Sequence, residues 1–356
     1  MKMLENALDN QSSASYQGDR NVDAELAEML KGLKANIKVF GCGGGGCNAV
    51  NRIMEQGITG ADVYAANTDA QHLLTIQGPR KILLGPRVTR GLGTGALPQV
   101  GEEAAREVQE KIRERVGGAN MVFVTCGLGG GTGTGSAPYI SRLAKDQGAL
   151  TVAFATLPFK AEGNMRMENA LKGLERLKRE ADTTIVVPNE KILEMAPKLP
   201  LTQAFMLADE VMSTSIRELT EVLTKPGLVN LDFNDMRTIM KNGGLSMIGF
   251  GESDSDHRAE EAVTEAIESP LLTLDIATAR GVLVNVTGGP DMSVSEAQKV
   301  AEIIHSKVKP GARIIWGASI DHSLGKSLRV LLVATGLDHG KRGETVELAK
   351  GIEFVA

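Results

Sequence analysis

Residues 127–135 have the sequence GLGGGTGTG, between an apolar segment at 120–126 and a helical pattern that begins at Ser136. Closely spaced glycines let successive backbone N–H groups point into one hollow, and the start of a helix adds partial positive charge. Phosphate is the ligand expected in such a loop. We therefore predict a strand, an anion-binding loop and a helix, in this order.

Two further glycine clusters lie upstream. Residues 41–48 (GCGGGGCN) follow the apolar segment 37–40, and residues 91–95 (GLGTG) precede a helical pattern at 99–115. The first cluster also satisfies G-x-G-x-x-G, the dinucleotide fingerprint, with Asp69 as a rather late acidic residue for the ribose. A tight strand-to-helix crossing without a ligand is the plainer alternative. Several anion-binding turns in one half of the chain suit a triphosphate better than a single pyrophosphate.

Basic residues are absent from the two longest glycine clusters, since no Lys or Arg lies within 41–48 or 127–135. Phosphate charge would then be offset by backbone N–H groups, helix dipoles and Mg²⁺. A Walker-type loop is excluded, because the sequence Gly325-Lys-Ser327 has Ile320 where that motif requires its first glycine.

Apolar segments alternate with helical patterns through the first half, which favours an α/β fold: a Rossmann-like, doubly wound and mostly parallel sheet. In that architecture ligands bind beyond the carboxyl ends of the strands, where the glycine clusters fall. The predicted strands are 37–40, 62–66, 81–84, 120–126, 150–156 and 183–187, and the predicted helices are 47–56, 99–115, 136–147, 164–180 and 189–195.

A long helix is predicted at 201–223, ending before Lys225-Pro-Gly227. Its helically spaced apolar residues predict one buried face: Phe205, Ala208, Met212, Ile216, Leu219 and Leu223. The remaining patterns predict a smaller α+β domain with strands at 245–251, 281–288, 311–319 and 328–336 and helices at 256–268 and 293–308. The expected organisation is a mobile N-terminal tail with a short helix (1–34), a first domain (35–223), a second domain (224–337) and a charged tail (338–356).

Composition narrows the class of protein. The 356 residues carry 39 Lys and Arg against 44 Asp and Glu, a formal net charge of −5, which argues against a nucleic-acid-binding protein. The three cysteines, Cys42, Cys47 and Cys126, cannot form a disulfide framework and make a poor zinc site. With no signal peptide and no apolar stretch suited to a spanning helix, we expect a cytoplasmic protein without direct membrane insertion.

The glycine-rich segment 129–135 resembles the nucleotide loop of the tubulin/FtsZ family. The resemblance covers roughly residues 36–337 and is closer to FtsZ than to eukaryotic tubulin, and the C-terminal tail suggests the archaeal type. It extends through the segments GGGGCN (43–48), NTDA (67–70), TRGLGTG (89–95), VPNE (187–190) and NLDFND (230–235). The resemblance implies the tubulin/FtsZ fold: a GTP-binding domain that includes the long helix, followed by a second α+β domain.

The resemblance also implies a set of site residues. Glu162 and Arg166 would contact ribose and guanine, while Asn189 would recognise the guanine edge and Asp209 would accept its N1–H and amine hydrogens. With the glycine loops, the implied residues around GTP or GDP are Gly43, Gly44, Gly45, Gly46, Cys47, Asn48, Ala70, Gly127, Gly130, Gly131, Thr132, Gly133, Thr134, Gly135, Glu162, Arg166, Asn189 and Asp209. Mg²⁺ is the implied cation, and a role for K⁺ stays open.

Each of these side chains also has a simpler interpretation. Glu162 and Arg166 are spaced as an exposed i,i+4 ion pair, Asn189 as a helix cap, and Asp209 as a solvated carboxylate beside Glu210. The sequence alone does not separate these alternatives from a ligand contact.

The family resemblance implies that the catalytic residues are Asn230, Asp232 and Asp235. Hydrolysis of a phosphate anhydride needs a positioned and partly deprotonated water, which carboxylates provide directly or through a cation. Asp232 is equally suited to cap a helix that begins at Phe233. The negative charge of Asp235 would then interact favourably with the positive end of the helix dipole. In FtsZ-like proteins these residues complete the site of the next subunit, so the resemblance implies head-to-tail filaments of identical subunits.

The expected function is GTP hydrolysis coupled to a filament that forms the division ring, near the inner face of the membrane. Membrane attachment would require an adaptor protein, for which we predict the C-terminal segment 351–355 (GIEFV) as the binding site. One alternative is a CetZ-like GTPase filament that controls cell shape. Another is a nicotinamide-dependent oxidoreductase that uses the first glycine cluster.

Overall fold

The computed structural model describes residues 35–225 and 227–337, and the predictions for the two terminal tails lie outside these residues. One ten-stranded sheet runs through this part of the chain in the order β3-β2-β1-β4-β5-β6-β7-β10-β8-β9. The strands are β1 (Ile37–Cys42), β2 (Ala61–Asn67), β3 (Arg80–Leu83), β4 (Met121–Gly127), β5 (Leu150–Leu157), β6 (Thr183–Pro188), β7 (Gly244–Ser253), β8 (Gly281–Gly288), β9 (Arg313–Ile320) and β10 (Leu328–Thr335).

The first six strands are parallel, as their continuous apolar sequences predict. Successive residues of one strand enter different cores: Val39 packs on one face of the sheet and Phe40 on the other. Helices connect the strands, so both faces are covered. They are α1 (Gly43–Gln56), α2 (Ala70–Thr75), α3 (Pro98–Glu107), α4 (Gln109–Val116), α5 (Thr132–Asp146), α6 (Asn164–Glu180) and α7 (Asn189–Met195).

Helix α8 (Leu201–Thr224) links the two halves of the sheet. At a rise of 1.5 Å per residue its 24 residues span about 36 Å. Ile216 and Leu219 are fully buried in the core that also holds Val39. The helix packs against α1 and reaches β8 and β9, so it is held by both halves. The predicted domain boundary at residue 224 coincides with its end and stays a prediction.

The second half adds four strands to the same sheet. β7 joins β6 through three parallel residue pairs, and β10 then pairs antiparallel with both β7 and β8. The outermost pair, β8 and β9, is parallel. A separate apolar core lies beneath helices α10 and α11. The helices of this half are α9 (Phe233–Met240), α10 (Arg258–Ile267) and α11 (Val294–Lys307).

Four of the helix assignments need correction. Helix α5 begins at Thr132, four residues before the predicted start at residue 136, because residues 132–135 of the glycine loop form its first turn. The predicted helix 99–115 is interrupted at Val108, whose φ of −109° and ψ of 25° leave the helical region. Helix α1 begins four residues before the predicted start at residue 47, because the glycines themselves form its first turn. The short helix α2 was not predicted; Asp69 caps it by accepting a hydrogen bond from the backbone N of His72.

Candidate nucleotide site

A cavity of about 560 Å³ lies beyond the carboxyl ends of the parallel strands. This is the place where open α/β sheets bind ligands, and the volume lies within the usual range of small-molecule sites. Twelve of the predicted binding residues line it: Gly44, Gly45, Asn48, Gly127, Gly130, Gly131, Thr132, Gly133, Glu162, Arg166, Asn189 and Asp209.

One wall consists mainly of backbone, because the glycine loops 41–48 and 127–135 touch. Gly43 has a φ of +71°, and a Cβ atom there would lie 2.6 Å from the backbone N of Gly133. A side chain at Gly43 is therefore excluded both by backbone conformation and by space. At Gly44, in contrast, a Cβ atom would meet nothing within 4 Å. Gly43 joins the loops, and Gly44 faces the cavity.

Three threonine hydroxyls connect the glycine loops to each other. Thr132 Oγ1 lies 2.7 Å from Thr68 Oγ1 and 3.5 Å from Thr94 Oγ1. Thr134 Oγ1 accepts a hydrogen bond of 2.9 Å from the backbone N of Gly129. The two contacts of Thr132 cross between segments and that of Thr134 lies within loop 127–135, and together they hold the backbone N–H groups of the wall in one arrangement.

Six predicted residues lie behind this wall rather than in the lining of the cavity. A Cβ atom at Gly46 would overlap the carbonyl oxygen of Thr125, and one at Gly135 would overlap that of Pro98. Both glycines therefore allow close packing of a helix, on β4 in the first case and on α3 in the second. The six residues are Gly43, Gly46, Cys47, Ala70, Thr134 and Gly135.

Cys47 and Ala70 show the same supporting role. Cys47 is fully buried, with its Sγ 3.6 Å from the carbonyl oxygen of Gly41 and 3.7 Å from that of Ala66. Burial raises its thiol pKa above the ordinary value. The backbone N of Ala70 donates to the carbonyl oxygen of Gly91 at 3.0 Å, which ties the start of helix α2 to the glycine cluster 91–95.

The opposite wall is built from side chains. Arg166 Nη1 donates to Glu162 Oε2 at 2.5 Å, so the predicted i,i+4 pair forms, and both residues also line the cavity. Glu162 Oε1 also accepts from the backbone N of Phe159. Among the described residues, Arg166 is the only Lys or Arg in the lining. Its guanidinium pairs with Glu162, and its backbone adjoins the glycine loop 127–135, where a Cβ atom at Gly129 would lie 2.9 Å from the carbonyl oxygen of Arg166.

Asn189 is buried at the start of α7, with only 5% of its surface exposed. The alternative of a helix cap is wrong, because the N-cap is Pro188 and no side chain caps this helix. Its Oδ1 has no hydrogen-bond partner within the described part of the chain. A buried acceptor without a partner costs free energy, which a ligand N–H at this position would recover.

Asp209 is partly buried on the first half of α8. Burial raises the pKa of its carboxyl to about 7, while the charge of Arg52 acts in the opposite direction. Arg52 itself forms an ion pair with Glu210. The alternative of a solvated carboxylate is therefore wrong: Asp209 lines the cavity with its charged form disfavoured, and a ligand donor would stabilise that form.

The predicted catalytic residues lie away from this cavity. Asn230 Oδ1 accepts from the backbone N of Gly227, and Asp232 caps α9 by accepting from the backbone N of Asp235, both at 2.7 Å. All three predicted side chains are exposed. They follow the end of α8, about 22 Å along the helix from Asp209, as 15 residues at 1.5 Å each. The helix-cap alternative for Asp232 is confirmed, and a cap leaves its second carboxylate oxygen available.

Sequence reasoning missed several lining residues. Phe205 was predicted in the buried face of α8, yet it is 38% exposed, lines the cavity and packs edge-on against Phe159 with ring centroids 4.8 Å apart. No motif or spacing in the sequence pointed to His72 as a lining residue. The quoted motifs contained Asn67, Asp69 and the segment 93–95. Asn67 was given no role, Asp69 was considered only for the ribose of a dinucleotide, and cluster 91–95 was considered only as an anion-binding turn. The other missed lining residues are Ala96, Leu128, Thr156, Pro158 and Ala208.

Two features are absent from residues 35–225 and 227–337. No helix there is long and apolar enough to cross a lipid bilayer. No cluster of three or more His, Cys, Asp or Glu side chains in the same ranges has the arrangement of a metal site.

Comparisons with known proteins agree with this geometry. The family model described as "Tubulin/FtsZ family, GTPase domain" matches residues 36–197, and that described as "FtsZ family, C-terminal domain" matches residues 244–338. Cell division protein FtsZ 1 of Archaeoglobus fulgidus is 52% identical over 343 residues, which cover 95% of this chain and 93% of that protein. Its counterpart in Thermococcus kodakarensis is 51% identical over 95% of this chain and 92% of that protein.

Solved structures give the same result. An FtsZ dimer of M. jannaschii superposes with a TM-score of 0.86 at 52% identity, covering 89% of this chain and 92% of the other. CetZ2 from Haloferax volcanii superposes with a TM-score of 0.74 at 20% identity, covering 89% of this chain and 98% of the other, which shows a shared fold only. With half of the sequence identical to archaeal FtsZ over nearly its whole length, and a cavity walled by the matching glycine loops, this chain belongs to the tubulin/FtsZ family of GTPases.

Proposed function

We propose that this protein is a cell-division GTPase that hydrolyses GTP between successive copies of itself in a head-to-tail filament. The observation that carries the proposal is the separation of two surfaces. The cavity lies at one end of helix α8, and Asn230, Asp232 and Asp235 lie exposed after its other end. Relatives of about 50% identity are named cell division proteins. The chain belongs to a GTPase family, so guanine nucleotide is the ligand.

Guanine would bind at the side-chain wall. Its N1–H and exocyclic amine are two adjacent donors, and an ionised Asp209 offers two acceptor oxygens. The buried Oδ1 of Asn189 is a further acceptor for a base donor. Phe205, exposed and held against Phe159, provides an apolar surface for the ring. Together these three side chains favour guanine over adenine, which lacks the N1–H.

The polyphosphate would bind at the glycine-loop wall. Backbone N–H groups and the first turns of α1 and α5 stabilise negative charge there. Because this wall has no Lys or Arg, we propose that Mg²⁺ offsets the remaining charge. Mg²⁺ usually binds nucleotide phosphates with few protein ligands and several waters, which fits a wall without a carboxylate cluster. The same argument allows K⁺ as a second cation.

Hydrolysis would require a second copy of the chain. The helix separates Asp232 and Asp235 from the cavity of their own chain, so they would activate water at the cavity of the next one. Exposed apolar side chains support contact at both surfaces. Near the cavity Leu92 is 87% and Met165 74% exposed, and Leu228, close to Asn230, is 49% exposed. Two different surfaces that meet head to tail generate an open filament.

The remaining roles are part of the proposal. We place the filament in the cytoplasm, at the division site near the inner face of the membrane, held there by an adaptor protein that binds segment 351–355. We propose no nucleic-acid partner and no direct membrane insertion. The filament for cell shape and the nicotinamide-dependent enzyme gain no support, since identity to CetZ2 is only 20% and the family matched is one of GTPases.

GTP turnover as a function of protein concentration tests the shared site. Activity per molecule should be close to zero at low concentration and should rise above a threshold where filaments appear by light scattering. Specific activity that stays constant on dilution would contradict a site completed by a neighbour. Localisation of the tagged protein away from the constriction of dividing cells would contradict the division role.

A further inference from the structure

His72 lines the cavity beside the glycine loops, and the function proposed above assigns it no task. Its ring lies between two asparagines: Nδ1 is 3.0 Å from Asn67 Nδ2, and Nε2 is 3.0 Å from Asn48 Oδ1. Asn67 ends β2, Asn48 belongs to α1, and His72 itself lies in α2. The imidazole therefore bridges three elements at the edge of the site.

The hydrogen positions in this bridge follow from Asn67. Its Oδ1 accepts from the backbone N of Thr68 at 2.8 Å and from that of Asp69 at 3.3 Å. The amide cannot turn around without losing both bonds, so its Nδ2 is the group that donates to His72 Nδ1. Nδ1 is then an acceptor without a proton.

A neutral imidazole with an unprotonated Nδ1 carries its hydrogen on Nε2. That N–H donates to Asn48 Oδ1, which fixes the orientation of the Asn48 amide in turn. The Nδ2 of Asn48 is left with no hydrogen-bond partner in the described ranges, at a residue that lines the cavity. Two N–H donors thus become available on the wall formed by the glycine loops.

Such donors matter because this wall has so little positive charge. In the described lining supplied by the glycine clusters and by residues 67–72, Asp69 is the only acidic side chain and no Lys or Arg is present. Its carboxylate accepts from the backbone N of His72 at 3.0 Å. A neutral amide with two N–H groups supplements the backbone donors for an anion.

We propose that His72 is a positioning residue for the polyphosphate: it orients the Asn48 amide so that its N–H groups face the phosphates. This inference rests on the proposed function. His72 acts through Asn48, so its effect is confined to ligands that carry phosphate. The base end of the cavity, with Asn189 and Asp209, is independent of it.

The test compares His72→Phe, which keeps a ring of similar size without hydrogen bonds, with His72→Gln, whose amide both accepts and donates. Binding is measured on the nucleotide-free protein by titration calorimetry with GTP, and by displacement of a fluorescent nucleotide with guanosine. A hydrogen bond to a charged group corresponds to roughly a tenfold change in affinity. We expect His72→Phe to bind GTP about tenfold more weakly and guanosine unchanged, and His72→Gln to recover most of the loss.

A double-mutant cycle with Asn48→Ala isolates the relay. Asn48→Ala should cause a similar loss of GTP affinity, and adding His72→Phe to it should cause little more. Losses that simply multiply would overturn the inference, as would equal losses for GTP and guanosine or unchanged GTP affinity in His72→Phe. If His72→Phe does not fold, His72→Ala takes its place in the cycle.

Leu74→Ala is the matched control, because Leu74 lies on the same helix α2 and is 78% exposed. Its GTP affinity should equal that of the unchanged protein. Absence of guanine nucleotide binding in the unchanged protein would refute the proposed function itself. Normal binding there together with normal binding in His72→Phe would refute only the role of His72.

Discussion

The nucleotide cavity and the acidic segment 230–235 lie at opposite ends of helix α8 and are built in opposite ways. The cavity is enclosed by several loops whose backbone and hydroxyl contacts cross between distant parts of the chain. In the acidic segment the polar side chains are exposed and make local contacts, such as the cap of α9 by Asp232, while Leu231 is buried in the core and anchors the segment. One surface is suited to nucleotide binding and the other to hydrolysis. Substitutions in the cavity should therefore impair binding, and substitutions in the acidic segment should impair hydrolysis alone.

The largest effect is expected where the backbone of the cavity is altered. Gly43→Ala places a side chain at a φ of +71°, 2.6 Å from the backbone N of Gly133. We expect the free energy of unfolding to fall by at least about 2 kcal/mol and GTP binding to be lost. Gly44→Ala is the matched control for stability, because its Cβ atom meets nothing within 4 Å. Thermal unfolding measures both variants, and equal melting temperatures would show that the loops do not touch as described.

Asp235→Ala should impair GTP hydrolysis and leave GTP binding intact. Its carboxylate is exposed after α8 and makes no contact with the cavity of its own chain. We expect GTP affinity and filaments to persist while kcat falls roughly a hundredfold or more, the usual range for a group that activates water. Asn234→Ala, one residue before, is a control at another exposed position. Normal hydrolysis by Asp235→Ala would refute the assignment.

Asp209→Asn should change the choice of base. The amide presents one donor where the carboxylate offered only acceptors, so one guanine N–H loses its partner. We expect GTP affinity to fall about ten- to hundredfold, and affinity for xanthosine triphosphate, which has a carbonyl in place of the exocyclic amine, to rise. Calorimetry with both nucleotides measures the exchange. An unchanged ratio of the two affinities would remove Asp209 from base recognition.

The smallest predicted effect is a dependence of binding on pH. Burial raises the pKa of Asp209 to about 7, so the carboxyl of the unliganded protein is mostly protonated below that pH. Guanine donors require the ionised form, so GTP affinity should weaken as the pH falls below 7, by up to about tenfold per unit. The unliganded protein shows the opposite trend: its carboxyl binds protons more tightly folded than unfolded, so this group favours folding at low pH and loses that contribution as the pH rises to 7.

Asp209→Asn serves as the control for that dependence, because an amide does not titrate in this range. Affinities measured between pH 5.5 and 8.5 should vary for the unchanged protein and be nearly flat for the variant. A slope that persists in Asp209→Asn would assign the titration to another group.

The glycine loops were predictable because the information is local. Closely spaced glycines after an apolar segment predict a turn with positive φ between a strand and a helix, and Gly43 has that conformation. The order of parallel strands followed from buried apolar segments alternating with helices. The roles of Asn189 and Asp209 came from resemblance to a family, and their composition and spacing alone left simpler alternatives open.

Phe205 and His72 show where prediction from the sequence failed. Phe205 has the helical spacing of a core residue. However, it lies near the start of α8, where it packs against Phe159 and lines the cavity. His72 lies in a polar segment without a motif. Its partners, Asn48 and Asn67, belong to two other elements of the fold. Contacts between such elements are not encoded by any local period.

Local sequence accounts for the strands, most helix bounds and the three glycine-rich turns. Backbone torsions and apolar spacing depend on near neighbours, so these features can be predicted from short segments. Packing of the complete chain accounts for which turns touch, which carboxyl is held near neutral pKa and how far apart the binding and acidic surfaces lie. Desolvation of Asp209 arises from many groups packed around it, whereas the length of α8 was already predicted from its own sequence and only its position between the two surfaces depends on the fold. These properties exist only once distant segments have come together, since burial and separation are properties of the folded assembly of elements and not of any one of them.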